Sequence, residues 1–125
     1  MSPYEQIEVE AGAEDVVAAL RAELRTRGIT EYAVVDHGRD MAAAGVTSHP
    51  AWTLVFGNPA AGEALLADEL AAAVDIPLRL AVIATGPRRS TIVLRPMESL
   101  IGDRHPEPAE RFTAVLRSLA DAASR

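Results

Sequence analysis

The sequence predicts an α+β fold: a two-layer sandwich in which a mainly antiparallel sheet of about five strands carries helices on one face. Three observations predict it. Short apolar or alternating segments rich in Val, Leu and Ile recur along the chain and read as strands. Amphipathic segments with helical spacing stand between some of them and close the chain. The resulting order, βαββαββα, sets strands next to one another in hairpins, as antiparallel sheets do. The 125 residues suit a single domain over 1–125, and no repeat or low-complexity linker divides them.

Residues 4–10 alternate, with Ile7 and Val9 on one side, and predict a half-buried strand. Glu14 and Asp15 then open a helix at its electropositive end. Val17, Leu20 and Leu24 recur at helical spacing, and Arg27-Gly28 closes the segment with a basic last turn and a left-handed cap. The second strand is 30–37. Asp40 to Ala44 makes at most a helical turn, stopped by Gly45. The third strand, 51–57, has the near-continuous apolar character of a central one. The clearest helix is 59–74, with Leu66, Leu70, Ala73 and Val74 on one stripe, and Pro77 prevents its continuation. Strands at 77–85 and 90–96 flank the hairpin loop "GPRRS". After a turn-rich stretch, 96–108, Phe112, Val115, Leu116 and Leu119 mark a C-terminal amphipathic helix.

Composition excludes several function classes. There is no cysteine, so disulfides, thiolate catalysis and Cys-based zinc sites are absent. A net charge of −6, with basic residues scattered and only Arg88-Arg89 adjacent, argues against a nucleic-acid partner. No apolar run is long enough to cross a bilayer. The N-terminal stretch is acidic and lacks a secretory pattern, so the expected compartment is the cytoplasm. Gly-x-Ser-x-Gly is missing, and Ser48 and Ser90 have no local base, which argues against a covalent nucleophile.

The stretch "LVFGNPAAGEALL" carries the most local information. Gly57 permits a close approach or a backbone turn that a side chain would block. Asn58, ahead of a proline, is pushed into the extended geometry of a helix N-cap, and Pro59 takes the first helical position. This is a well-made strand-to-helix corner, and its free amides also suit a polar ligand atom. It is no phosphate loop: Glu63 and Ala64 stand where Lys and Ser or Thr belong.

Three motifs in order, Asp36-His37, the Phe56-Gly57-Asn58-Pro59 corner and Asp75-Ile76-Pro77-Leu78, make the chain resemble the domain of unknown function 302 family. In that family the last motif reads Asp-Leu-Pro-Leu, so Ile76 is a mild departure. The resemblance runs from the first strand to the fifth. It implies a small α/β protein of two-layer fold, seen as a homodimer in bacteria and archaea, with no established activity.

Three functions fit these residues, the third and plainest being an oligomeric interaction protein that binds no ligand. The first is a homodimeric domain that binds a small, partly apolar ligand near the corner through Phe56, Gly57, Asn58 and Asp75. The second is a cofactor-free isomerase, cyclase or lyase in which His37, with Asp36 or Asp75, moves a proton on a small organic substrate. Against the second, neighbours 36 and 37 on one strand point to opposite faces, and a histidine at a strand end can be held locally. His49 and His105 precede prolines in loops and read as solvent-facing, and no pair of histidines has helical metal-site spacing, so neither metal nor cofactor is expected. Asp75 reads as a turn-former or a pocket group, Trp52 as core or dimer contact, and Arg88-Arg89 as a solvated hairpin tip.

Overall fold

Alternation within the strands decides the layering. The computed structural model describes residues 2–125. Its strands are β1 (Glu5–Val9), β2 (Thr30–Asp36), β3 (Ala51–Gly57), β4 (Leu78–Gly86) and β5 (Arg89–Leu94). They form one antiparallel sheet in the order β1-β5-β4-β3-β2. Val9, Leu54, Phe56, Leu78, Leu80, Val82, Ile92 and Leu94 all point to one side and are almost fully buried. Each such side chain contributes roughly 1.5–3 kcal/mol of burial.

Helices α1 (Ala13–Thr26) and α5 (Pro106–Ala123) cover that side, packing on each other and on β4 and β5. Val16, Leu20 and Leu24 of α1, and Ala109, Phe112, Leu116 and Leu119 of α5, supply their buried stripes. The two-layer α+β sandwich read from the sequence is therefore the observed architecture. Positive φ at Gly28 (67°) and Gly45 (79°) ends the first helix and the turn after α2 (His37–Ala43), a left-handed geometry that side chains resist. The turn expected at 40–44 is this longer helix, which begins at His37 because Asp36 caps it, accepting from Arg39 N at 2.9 Å. A further short helix, α4 (Glu98–Ile101), stands in the turn-rich stretch before α5.

The predicted helix over 59–74 is interrupted. Helix α3 (Pro59–Asp68) stops, Glu69 is extended (φ −149°, ψ 100°), and a separate 3-10 helix runs over Leu70–Asp75. Leu70 and Val74, assigned to the buried stripe from sequence, are 74% and 81% exposed; Leu65 and Ala72 are buried instead. The reason is a tertiary clasp. His105, expected in solvent, is only 6% exposed and lies between Asp68 Oδ2 (3.1 Å from Nδ1) and Glu69 Oε1 (2.7 Å from Nε2). Both ring nitrogens can donate to both carboxylates only when the ring is protonated. Arg104 pairs with the same Glu69 at 2.6 Å. The His105 hydrogen bond, then the Arg104 charge, holds the Glu69 carboxyl below its ordinary pKa.

Candidate functional site

The other side of the sheet carries the next residues along each strand. Register places Val35, Thr53, Ala81, Val93 and Gln6 in one row across it, and Ala33, Val55 and Arg79 in the row toward the end of β4 where Leu78 begins. His37 reaches this helix-free side: its Nε2 is hydrogen-bonded to Thr53 Oγ1 at 2.7 Å. Asp36 points elsewhere, since its carboxylate is engaged as the α2 cap. The two adjacent residues thus have separate partners, because β2 ends at Asp36 and His37 begins α2.

The Phe-Gly-Asn-Pro corner folds as its local chemistry requires. Asn58 is extended (φ −118°, ψ 109°), and its Oδ1 accepts from Ala60 N at 3.1 Å, with Pro59 at the first position of α3. Capping uses the amide oxygen and leaves the side-chain NH2 free to donate. Gly62 is buried, and a Cβ there would meet Ile76 Cδ1 at 3.6 Å, an ordinary packing distance. Phe56 is 1% exposed and belongs to the core. It lines no hollow, because alternation along β3 turns it toward α1 and α5 while Gly57 faces the other way.

Two hollows open around the cis Ile76–Pro77 peptide. The smaller, about 250 Å³, lies at the corner and is walled by Tyr32, Gly57, Asn58, Leu66, Ile76 and Phe112. The larger, about 420 Å³, is lined by Thr53, Val74, Asp75, Arg79, Arg95 and Leu100, among others. Pro77 and Leu78 border both. The structure therefore brings Gly57 and Asn58 together in one hollow and sends Asp75 to the other. His37 lines neither, but its partner Thr53 lines the larger one. Among the described residues, no group of three or more His, Asp or Glu is arranged to hold a metal ion.

Sequence reasoning missed Tyr32, Leu66, Arg79 and Arg95. Tyr32 is the residue passed over where the β2–β3 register shifts between Glu31 and Ala33, which no local pattern marks. Arg79 and Arg95 could not be matched by counting from the 86–90 hairpin, because an irregularity between Ala84 and Gly86 shifts the β4–β5 register.

The family model described as Domain of unknown function DUF302 matches residues 5–125. The chain belongs to the DUF302 family. A crystal structure of an uncharacterized conserved DUF302 protein from Bacillus stearothermophilus superposes with a TM-score of 0.79. It shares 17% identity, and the match covers 99% of this chain and 97% of that one, which establishes a common fold. Fluoride-specific ion channel FluC 1 of Brucella suis and FluC 2 of Brucella melitensis are each 29% identical over 65 residues. That stretch is 52% of this DUF302 chain, yet only 26% and 24% of those proteins, so this chain matches about a quarter of the length of its curated relatives. No helix among its described residues is long and apolar enough to cross a membrane.

Proposed function

We propose that this DUF302 protein is a homodimeric small-molecule-binding domain whose ligand occupies the corner hollow. The observation that carries the reading is the pairing of apolar walls with one free amide donor, on Asn58, at a corner held rigid by its own cap. Binding sites for small molecules are mostly apolar with a few placed polar groups. Its volume, about 250 Å³, lies below the ~300–1,000 Å³ usual for drug-sized ligands, which points to a small neutral molecule with one acceptor. The second copy is assigned to the part of the helix-free face outside the larger hollow, where Val35, Val55 and Ile83 are only half-buried and no helix of α1 or α5 covers them.

Cyclohexanone, an apolar ring with a single acceptor, is a direct probe. Titration followed by amide NMR should move Gly57, Gly62 and the Asn58 side-chain NH2 saturably. Asn58→Asp keeps a capping oxygen and removes the donor, so the fold should survive while affinity drops roughly tenfold. Leu66→Trp should abolish the response by filling the space. No saturable change at the corner in the wild type removes the reading. Sedimentation of Val55→Glu tests the dimer, which should become a monomer.

A second reading, a cofactor-free enzyme using His37 as general acid or base, is favoured by one observation: the 2.7 Å His37–Thr53 contact at the border of the larger hollow. Proton–deuterium exchange into small enolisable ketones, followed by NMR, tests it. Turnover that falls about 10²–10⁴-fold in His37→Ala supports this reading. Equal exchange in both proteins eliminates it.

A further inference from the structure

The geometry points to a second ligand site in the larger hollow, one that takes a small monocarboxylate with an apolar body. Arg79, in β4, and Arg95, one residue past the end of β5, both line this hollow. Like charges that converge on one concavity repel each other unless a counter-charge lies between them.

The protein leaves these two cations uncompensated. Arg21, Arg27, Arg39, Arg104, Arg117 and Arg125 are each paired with a carboxylate. Among the described residues Arg25, Arg79, Arg88, Arg89, Arg95 and Arg111 have no such partner; of these only Arg79 and Arg95 line this hollow, and the polar contact they make is Arg95 Nε donating to Ser99 Oγ at 3.0 Å. Asp75 is the one carboxylate lining the same hollow, so two guanidinium groups face one negative charge there. The excess is a single positive charge, in a chain whose net charge is −6. A monoanion neutralises it, and two guanidinium forks match the two oxygens of a carboxylate. A dianionic phosphate would overcompensate and would meet Asp75.

The remaining wall asks for an apolar body. Val74 is 81% exposed and Leu100 41% exposed, and both line this hollow together with Tyr4 (51%) and the buried Met97. Exposed apolar groups that converge on one concavity mark a binding surface. The 3-10 helix is what delivers Val74 and Asp75 to it; a continuous helix over 59–74 would have turned Val74 into the core. At about 420 Å³ the space is within the usual range for a small organic ligand, ~300–1,000 Å³. This site is separate from the corner hollow, from which Ile76 and Pro77 divide it.

Octanoate is the probe. Calorimetric titration into the wild-type protein should give saturable binding, with octan-1-ol, the same body without the charge, at least tenfold weaker. Arg79→Gln and Arg95→Gln should each weaken octanoate about tenfold or more, as expected for a lost hydrogen bond to a charged group, and the double variant should bind about a hundredfold weaker. Both side chains are exposed, so these variants should keep the wild-type melting temperature. Arg88→Gln at the hairpin tip, and Leu66→Trp in the corner hollow, should leave octanoate affinity unchanged. The proposal is overturned if the double variant binds octanoate as well as the wild type, if the wild type gives no saturable heat, if Leu66→Trp abolishes binding, or if octyl phosphate binds more tightly than octanoate.

Discussion

Replacing His105 with alanine tests whether a tertiary clasp stops the helix that sequence periodicity would continue. The imidazole is 6% exposed and spans Asp68 (3.1 Å) and Glu69 (2.7 Å). Two hydrogen bonds to charged groups would be worth about 1.5–3 kcal/mol each if fully buried. Asp68, however, is 72% exposed, so its share belongs with surface pairs, at about 0–1 kcal/mol. What remains is one partly buried bond to Glu69 and the packing of the ring, a loss of about 2 kcal/mol on truncation. For a domain of this size that lowers the melting temperature by about 8 °C. The local readout is amide exchange at Ala72, whose N–H donates to Glu69 O at 3.0 Å and should exchange faster in His105→Ala. The acid dependence has a defined sign. Because folding depresses the Glu69 carboxyl, its contribution is present above the ordinary Glu value of about 4.3 and is lost as pH falls through the folded value. The stability gap between wild type and His105→Ala should therefore narrow between about pH 5 and pH 3. A melting temperature within about 1 °C of wild type, with Ala72 exchange unchanged, refutes the clasp as the cause of the break.

Three further outcomes follow from the same geometry. Asn58→Ala, which removes the cap on Ala60 N, should cost about 1 kcal/mol in urea unfolding, whereas Asp36→Ala should leave the global midpoint unmoved because α2 buries no residue. Leu54→Ala, at a position with no exposed surface in the interior strand β3, should cost about 2–5 kcal/mol by the same measurement. The Glu5 carboxyl is depressed chiefly by its hydrogen bond from Arg117, and that of Glu98 by its bond from Thr113. Both stabilise the protein above the ordinary carboxyl range, so Arg117→Met and Thr113→Val should each flatten the fall in stability on acidification, read as unfolding midpoints at stepped pH.

Residues local to one another carried most of the fold. The near-continuous apolar run of 51–57 and the spacing of Phe112, Leu116 and Leu119 are properties of a single element, and each is legible without its partners. The corner was equally legible, because Gly57, Asn58 and Pro59 act on their own backbone and on the next turn. Asp36 and His37, expected together at the end of one strand, part because His37 opens α2: one serves as its cap and the other reaches Thr53. What only the tertiary structure decided are pairings between distant residues. His105 overrides helical propensity at Glu69 from 36 positions away, which exposes Leu70 and Val74 against their periodicity. Asp75 and Asn58, near one another in sequence, end on two sides of Ile76–Pro77, so the polar motif residues are divided between hollows. A pattern in sequence reports which face of an element is apolar; which partners reach that face, and what space they leave, is set by how separate elements pack.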